Sequence, residues 1–153
     1  MQVNEYSWGM GSKTRLATCH PDMVTVADFV LGMGIIDLTI LWGYRSKGEQ
    51  NAMADAVPPT SMVYWPMSYH NMTDEKGMPL SDALDFAPWL LLPNGKMGIP
   101  WKDTHTFAMV GGLFLAAGAA LEIPVVWGGD FDRDGLTIDH SLGDYGHIQR
   151  VRA

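Results

Sequence analysis

The stretch from Ser68 to Trp89, SYHNMTDEKGMPLSDALDFAPW, sets a charged residue, Asp85, between Leu84 and Phe86 in a run that otherwise alternates like a strand. Successive side chains of an extended chain point to opposite faces, so Ala83, Asp85 and Ala87 share one face and Leu84 and Phe86 the other. The apolar pair can anchor a core while Asp85 emerges on a working face. Upstream, His70 is followed by a polar segment, Met72 to Leu80, broken by Gly77 and Pro79 and loop-like in composition. Far downstream, Gly143 to Arg150, GDYGHIQR, repeats the strand pattern: His147 and Gln149 share a face and Ile148 takes the other. Gly146 leaves room beside His147 for an approaching group.

Working outward, Pro21 suits the first turn of a helix, and Met23, Val26, Ala27, Val30 and Leu31 recur at helical spacing, which predicts a helix over about 22–33. Ile36 to Trp42 reads as a strand ending at Gly43-Tyr44-Arg45-Ser46. Ser46 and Glu49 have capping-box spacing, so a second helix starts there and Arg45 is held between two rigid elements. Residues 57–69 show no period and read as irregular. A long apolar helix begins near Asp103 or Thr104, with Phe107, Val110, Phe114, Ala117 and Leu121 on one stripe and Gly111 and Gly112 permitting close backbone approach. Val125 to Trp127 and Gly146 to Val151 complete the strands. Helices and short strands interleave without a regular βαβ rhythm, which predicts an α+β domain on a small, mostly antiparallel sheet.

The composition of the 153 residues limits the partners. A net charge of −7 with scattered Lys and Arg argues against a nucleic-acid surface, and one cysteine, Cys19, excludes an internal disulfide. Phe107 to Leu121 is shorter than the roughly 20 residues a bilayer span needs, so no membrane insertion is expected. The N-terminus has no basic region followed by an apolar core, so no secretory signal is expected. One domain over 1–153 with no separate binding module, and a monomer, are the expectations.

His70, Asp85 and His147 are the right ligand types for a catalytic zinc that keeps its fourth position for water, although no helical HExxH spacing supports them. Asp130, Asp132 and Asp134 followed by Gly135 resemble the start of a calcium loop. Where that loop expects a bidentate Glu stands Ser141, leaving Asp139 to compensate, and an acidic solvated turn is the plain alternative.

Gly43-Tyr44-Arg45-Ser46 with Gln50, then Ser68-x-His70, Asp82-Ala-Leu-Asp85-Phe-Ala-Pro88, Trp127-Gly-Gly-Asp130 and Asp144-x-x-His147 form an ordered set. From Tyr6 to Val151 the chain resembles the D-alanyl-D-alanine peptidase family of zinc enzymes, and within it phage L-alanyl-D-glutamate endopeptidases, endolysins that cut bacterial cell-wall peptides. The resemblance implies a Hedgehog/D,D-peptidase-like fold and zinc ligands His70, Asp85 and His147. It implies Asp144 as the catalytic carboxylate and Arg45 as the donor to the scissile carbonyl oxygen. Arg45, Gln50 and Ser68, with Tyr44 and Tyr69, are placed as substrate-contacting groups by their positions beside the motifs. Some relatives carry a calcium loop ahead of the terminal motif. Fourteen residues separate His70 from Asp85, more than the family usually places there, which makes the Met72–Leu80 loop an insertion and leaves Asp74 and Asp82 as rival ligands. His140 is the runner-up among histidines, and His20 and His105 are expected to cap or lie at the surface.

The implied function is hydrolysis of a stem-peptide bond in peptidoglycan, L-alanyl-D-glutamate first. Alternatives are a D-alanyl-D-alanine carboxypeptidase or dipeptidase and a non-catalytic calcium- or wall-binding module. Synthesis in a host cytoplasm, with the wall reached through a lesion made by another protein, completes the expectation.

Overall fold

A computed structural model of the chain describes residues 4–137 and 144–152. Helix α1 (Met10–Leu16) and helix α2 (Pro21–Gly32) precede strand β1 (Leu38–Trp42) and helix α3 (Lys47–Asp55). A single 3-10 turn, Tyr69–Asn71, leads to strand β2 (Ala83–Pro88) and a short hairpin of β3 (Leu90–Leu91) and β4 (Met97–Gly98). Helix α4 (Thr104–Ala120), β5 (Val125–Trp127) and β6 (His147–Arg150) follow. The main sheet has the order β1-β2-β6-β5, with every neighbouring pair antiparallel. The α+β expectation is met.

Local chemistry explains the helix starts. The His20 ring accepts from Asp22 N ahead of Pro21, Ser46 and Glu49 close a full capping box, and the Asp103 carboxylate accepts from Thr106 N. Helices α2 and α4 pack on each other and on the sheet. Their buried Met23, Val26, Val30, Val110 and Phe114 meet Ile40, Leu84, Phe86 and Ile148. Phe86 stacks on Phe114 with ring centroids 5.0 Å apart, so Leu84 and Phe86 do anchor the core. Strand β2 is nonetheless covered on both faces, since Ala83 and Ala87 are buried as well.

Sheet register decides what shares a face. Asp85 stands directly opposite His147 across β2 and β6. On the other side the β1 pairing slips between Ile40 and Trp42, so Ile40 opposes Phe86 while Trp42 opposes Asp85. This bulge turns Trp42, in place of Leu41, toward the functional face.

The Gly146 and Gly112 expectations change, and the Met72–Leu80 loop gains detail. Gly146 makes room for the β2 backbone: a Cβ there would lie 2.6 Å from the Phe86 carbonyl oxygen, and Phe86 N donates to Gly146 O at 2.7 Å. Met72–Leu80 is an ordered turn, with Thr73 bridged to Pro79 and the Asp74 carboxylate accepting from Lys76 N and Met78 N. Of the paired glycines in α4, Gly111 alone is tight. A Cβ on it would meet the Trp127 ring at 2.4 Å, whereas one on Gly112 meets nothing within 4 Å.

Gly111→Ala is therefore expected to destabilise the fold by about 1–3 kcal/mol through overpacking. Gly112→Ala should stabilise it by up to about 1 kcal/mol, because alanine loses less backbone entropy in a helix interior. Urea denaturation of the two variants reads the difference, and equal shifts would contradict the packing described.

Candidate metal centre

Each of three elements brings one donor to a common point. The 3-10 turn delivers His70: its Ser68 hydroxyl accepts from His70 N, and the Asn71 side chain accepts from Ser68 N. Strand β2 delivers Asp85 and β6 delivers His147. His70 Nε2 lies 3.3 Å from Asp85 Oδ1 and 3.3 Å from His147 Nδ1, and His147 Nδ1 lies 3.1 Å from Asp85 Oδ1. Both histidines are buried and Asp85 nearly so.

The far side of each ring fixes which nitrogen is free. The Nδ1–H of His70 donates to the Gly43 carbonyl at 2.7 Å, which leaves the Nε2 lone pair facing the cluster. The Nε2–H of His147 donates to Gln149 Oε1 at 2.9 Å, which leaves its Nδ1 lone pair there too. Two imidazole lone pairs and a carboxylate oxygen aimed at one point repel one another unless a cation sits between them. Their separations are close to the roughly 3.3 Å edge of a tetrahedron built on zinc–ligand bonds of about 2.0–2.1 Å. The donors fit a divalent metal held by three protein ligands.

Arg45 supports this set. Its backbone N donates to His70 O at 2.9 Å, and its guanidinium Nη2 pairs with Asp85 Oδ2, leaving Oδ1 for the cluster. The guanidinium also lies 5.3 Å from the Trp42 ring centroid. With the two histidines protonated and no cation between the donors, burial raises the Asp85 carboxyl, but the charge on His70 and hydrogen bonds from both rings outweigh it and hold the group well below its ordinary value. Burial lowers His147, and Asp85 reverses that to a net rise. Asp144, half-exposed, has its Oδ2 4.0 Å from His147 Nδ1. Desolvation and then the Asp85 charge raise its carboxyl, against the pull of His147, His70 and Arg45.

A cleft of about 520 Å³ opens over the cluster, lined by Arg45, Ser68, Tyr69, His70, Asp144 and His147 among others. Ser68 and Tyr69 thus border it, though the Ser68 hydroxyl is engaged in capping. Gln50 does not reach it. Its Nε2 donates to Ser61 Oγ and Val63 O, both at 2.7 Å, and its Oε1 accepts from Asn71 at 3.3 Å. Wholly buried, Gln50 ties α3 to the 61–63 segment and to the turn that carries His70. Tyr44 packs edge-on against Trp65.

The rival ligands are engaged elsewhere. Asp74 closes its own turn, Asp82 pairs with Arg150 and Arg152, and His20 caps α2. His105 is exposed. Asp139, His140 and Ser141 lie outside the described residues. Burial pushes the Cys19 thiol up to about 12, so it offers no thiolate nucleophile at neutral pH.

Asp130, Asp132 and Asp134 bring their carboxylates together in the loop after β5. Asp130 accepts from Asp134 N at 3.2 Å and Gly135 N at 3.0 Å. Between them Phe131 packs against His147, ring centroids 5.7 Å apart, so this loop borders the cluster.

No motif marks Gln149, although its place two residues beyond His147 on the same strand face is visible in the sequence. Gln149→Leu is expected to free the His147 ring and weaken metal binding by roughly 10–100-fold. Competition with a chromophoric chelator measures this, and unchanged affinity would remove the role assigned to Gln149.

An α+β domain with a His-Asp-His cluster, an ion-paired arginine and a nearby raised carboxylate defines a candidate metal-dependent hydrolase. The phage L-alanyl-D-glutamate peptidase family matches residues 5–151, and the chain belongs to that family. It is 30% identical over 149 residues to the L-alanyl-D-glutamate peptidase of Escherichia phage T5, covering 95% of this chain and 98% of that protein. Its fold is similar to the crystal structure of the Serratia marcescens L-Ala D-Glu endopeptidase ChiX, with a TM-score of 0.67 at 22% identity over 96% of this chain and 91% of that one. No helix among the described residues is long and apolar enough to cross a membrane.

Proposed function

We propose that the protein is a zinc-dependent endopeptidase of peptidoglycan that hydrolyses the L-alanyl-D-glutamate bond of the stem peptide. The observation that carries this reading is the convergence of three lone pairs from His70, Asp85 and His147 beside Asp144 and Arg45, within a family of that activity. Zinc bound there would lower the pKa of a coordinated water toward about 7 and polarise the scissile carbonyl. Asp144 takes the proton of the attacking water and returns it to the leaving amine, a task suited to a carboxylate raised above its ordinary value. Arg45 holds Asp85 Oδ2 and, lining the cleft, donates to the carbonyl oxygen as negative charge develops on it. Ser68 and Tyr69 border the peptide. The matched span acts as one catalytic domain, monomeric, made in a host cytoplasm and reaching the wall after a membrane lesion.

Calcium at Asp130, Asp132 and Asp134 belongs to the same proposal. Its effect would pass through Phe131 to His147. Adding calcium to metal-stripped, zinc-reloaded protein should raise both activity and thermal stability in the wild type but not in Asp132→Ala. Identical behaviour of the two would refute a calcium site.

Digestion of purified murein with mass analysis of the fragments, alongside a chelator control, tests the main reading. New L-alanine carboxyl and D-glutamate amino ends support it. Free D-alanine would instead identify a carboxypeptidase, and intact murein with zinc-loaded protein would leave only a non-catalytic module.

A further inference from the structure

A second cleft, of about 530 Å³, adjoins the first, and the two share Asp144. Its walls differ in kind. Trp42, Trp101, Phe107 and Tyr145 line it with Asp85 and Asp144, and none of its described lining residues is a lysine, arginine or histidine. The first cleft has Arg45. Trp101 is 64% exposed, and its ring lies 23° from parallel to Phe107 at 6.2 Å. The bulge in β1 sets Trp42 across from Asp85 at the inner end. The result is an aromatic trough running from solvent to the metal donors.

On the proposed reading of function, the substrate is chemically lopsided about its scissile bond. The amino side carries the alanyl methyl, a lactyl ether and an acetylated sugar, all uncharged. The other side carries the D-glutamate carboxylate and further ionised groups. Carboxylates entering the aromatic cleft would be desolvated beside Asp144, with no cationic side chain among its described lining residues to pair them. An uncharged sugar ring loses little there and gains an apolar face to stack on.

We infer that the aromatic cleft is the subsite for the muramyl-L-alanyl side of the substrate, with Trp101 as the platform for the sugar, and that the Arg45 cleft takes the D-glutamyl side. This fixes the direction of the peptide across the metal centre. It also makes Trp101 a determinant of preference for glycan-attached stems over free peptides.

The test uses the zinc-loaded full chain with indole N–H groups observed by NMR. N-acetylmuramyl-L-alanine should shift the Trp101 signal, whereas the D-glutamyl product peptide should leave it in place. Trp101→Ala should weaken muramyl-L-alanine binding roughly tenfold. It should also lower kcat/KM on a muramyl-bearing stem by roughly tenfold more than on the same stem capped with acetyl. Equal losses on the two stems, an unmoved Trp101 signal, or a Trp101 signal moved by the D-glutamyl peptide would overturn the assignment. Failure of the wild type to cut murein would overturn the proposed function alone, because the titration needs no turnover.

Discussion

His70→Ala is expected to release the metal and abolish murein cleavage while the domain stays folded. His70 gives one of three donors, and its ring nitrogens are fully committed: Nδ1 to the Gly43 carbonyl and Nε2 to the cluster. Removing it leaves two ligands, too few to dehydrate zinc at a site of this kind. Loss of a partner behind a ligand already costs roughly 10–100-fold in affinity, so loss of the ligand itself should exceed about 100-fold. Turnover should fall by at least about 10³-fold, because the metal stabilises charge in the transition state by several kcal/mol. The fold should lose about 1–3 kcal/mol, since the buried Gly43 carbonyl is left without its donor. Elemental analysis after dialysis, paired with a thermal melt, separates these effects. Full zinc occupancy in the folded variant would refute the ligand set.

Residues that punctuate the backbone made much of this architecture legible. Pro21, the Ser46–Glu49 box and Asp103 mark the starts of α2, α3 and α4 because each satisfies or spares backbone N–H groups that a helix end leaves unpaired. Helix α1 has no such mark: Gly9 offers no side chain to cap it, and its first turn has no acid. The two-residue strands β3 and β4 are too short to display a period. At the site, the faces of β2 and β6 could be read from alternation, but their register could not. Asp85 meets His147 across 62 residues of sequence, and the slip in β1 that brings Trp42 to the same place leaves no local trace. Gln50 shows the converse failure. An amide beside an active-site motif reads as a substrate contact, yet its burial depends on Ser61 and Val63, in a segment with no periodicity.

The sharpest separation of chemistry from metal binding comes from Asp144→Asn, which should lower turnover by about 10²–10⁴-fold at unchanged zinc content. Asp144 Oδ2 stands 4.0 Å from His147 Nδ1, near enough to serve the reacting water and too far from the donor cluster to be one of its members. Asparagine keeps the shape of the side chain and its reach for hydrogen bonds but cannot accept a proton, so the loss should fall on kcat with KM little changed. Relief of the repulsion between Asp144 and Asp85 should leave the fold at least as stable. Restoring the carboxylate as Asp144→Glu should recover only part of the rate, because the longer side chain moves the base relative to a fixed nucleophile. Stopped assays on a defined stem peptide, with zinc quantified in the same samples, distinguish the outcomes. Loss of zinc in step with activity would make Asp144 a ligand, and wild-type turnover in Asp144→Asn would remove it from the reaction.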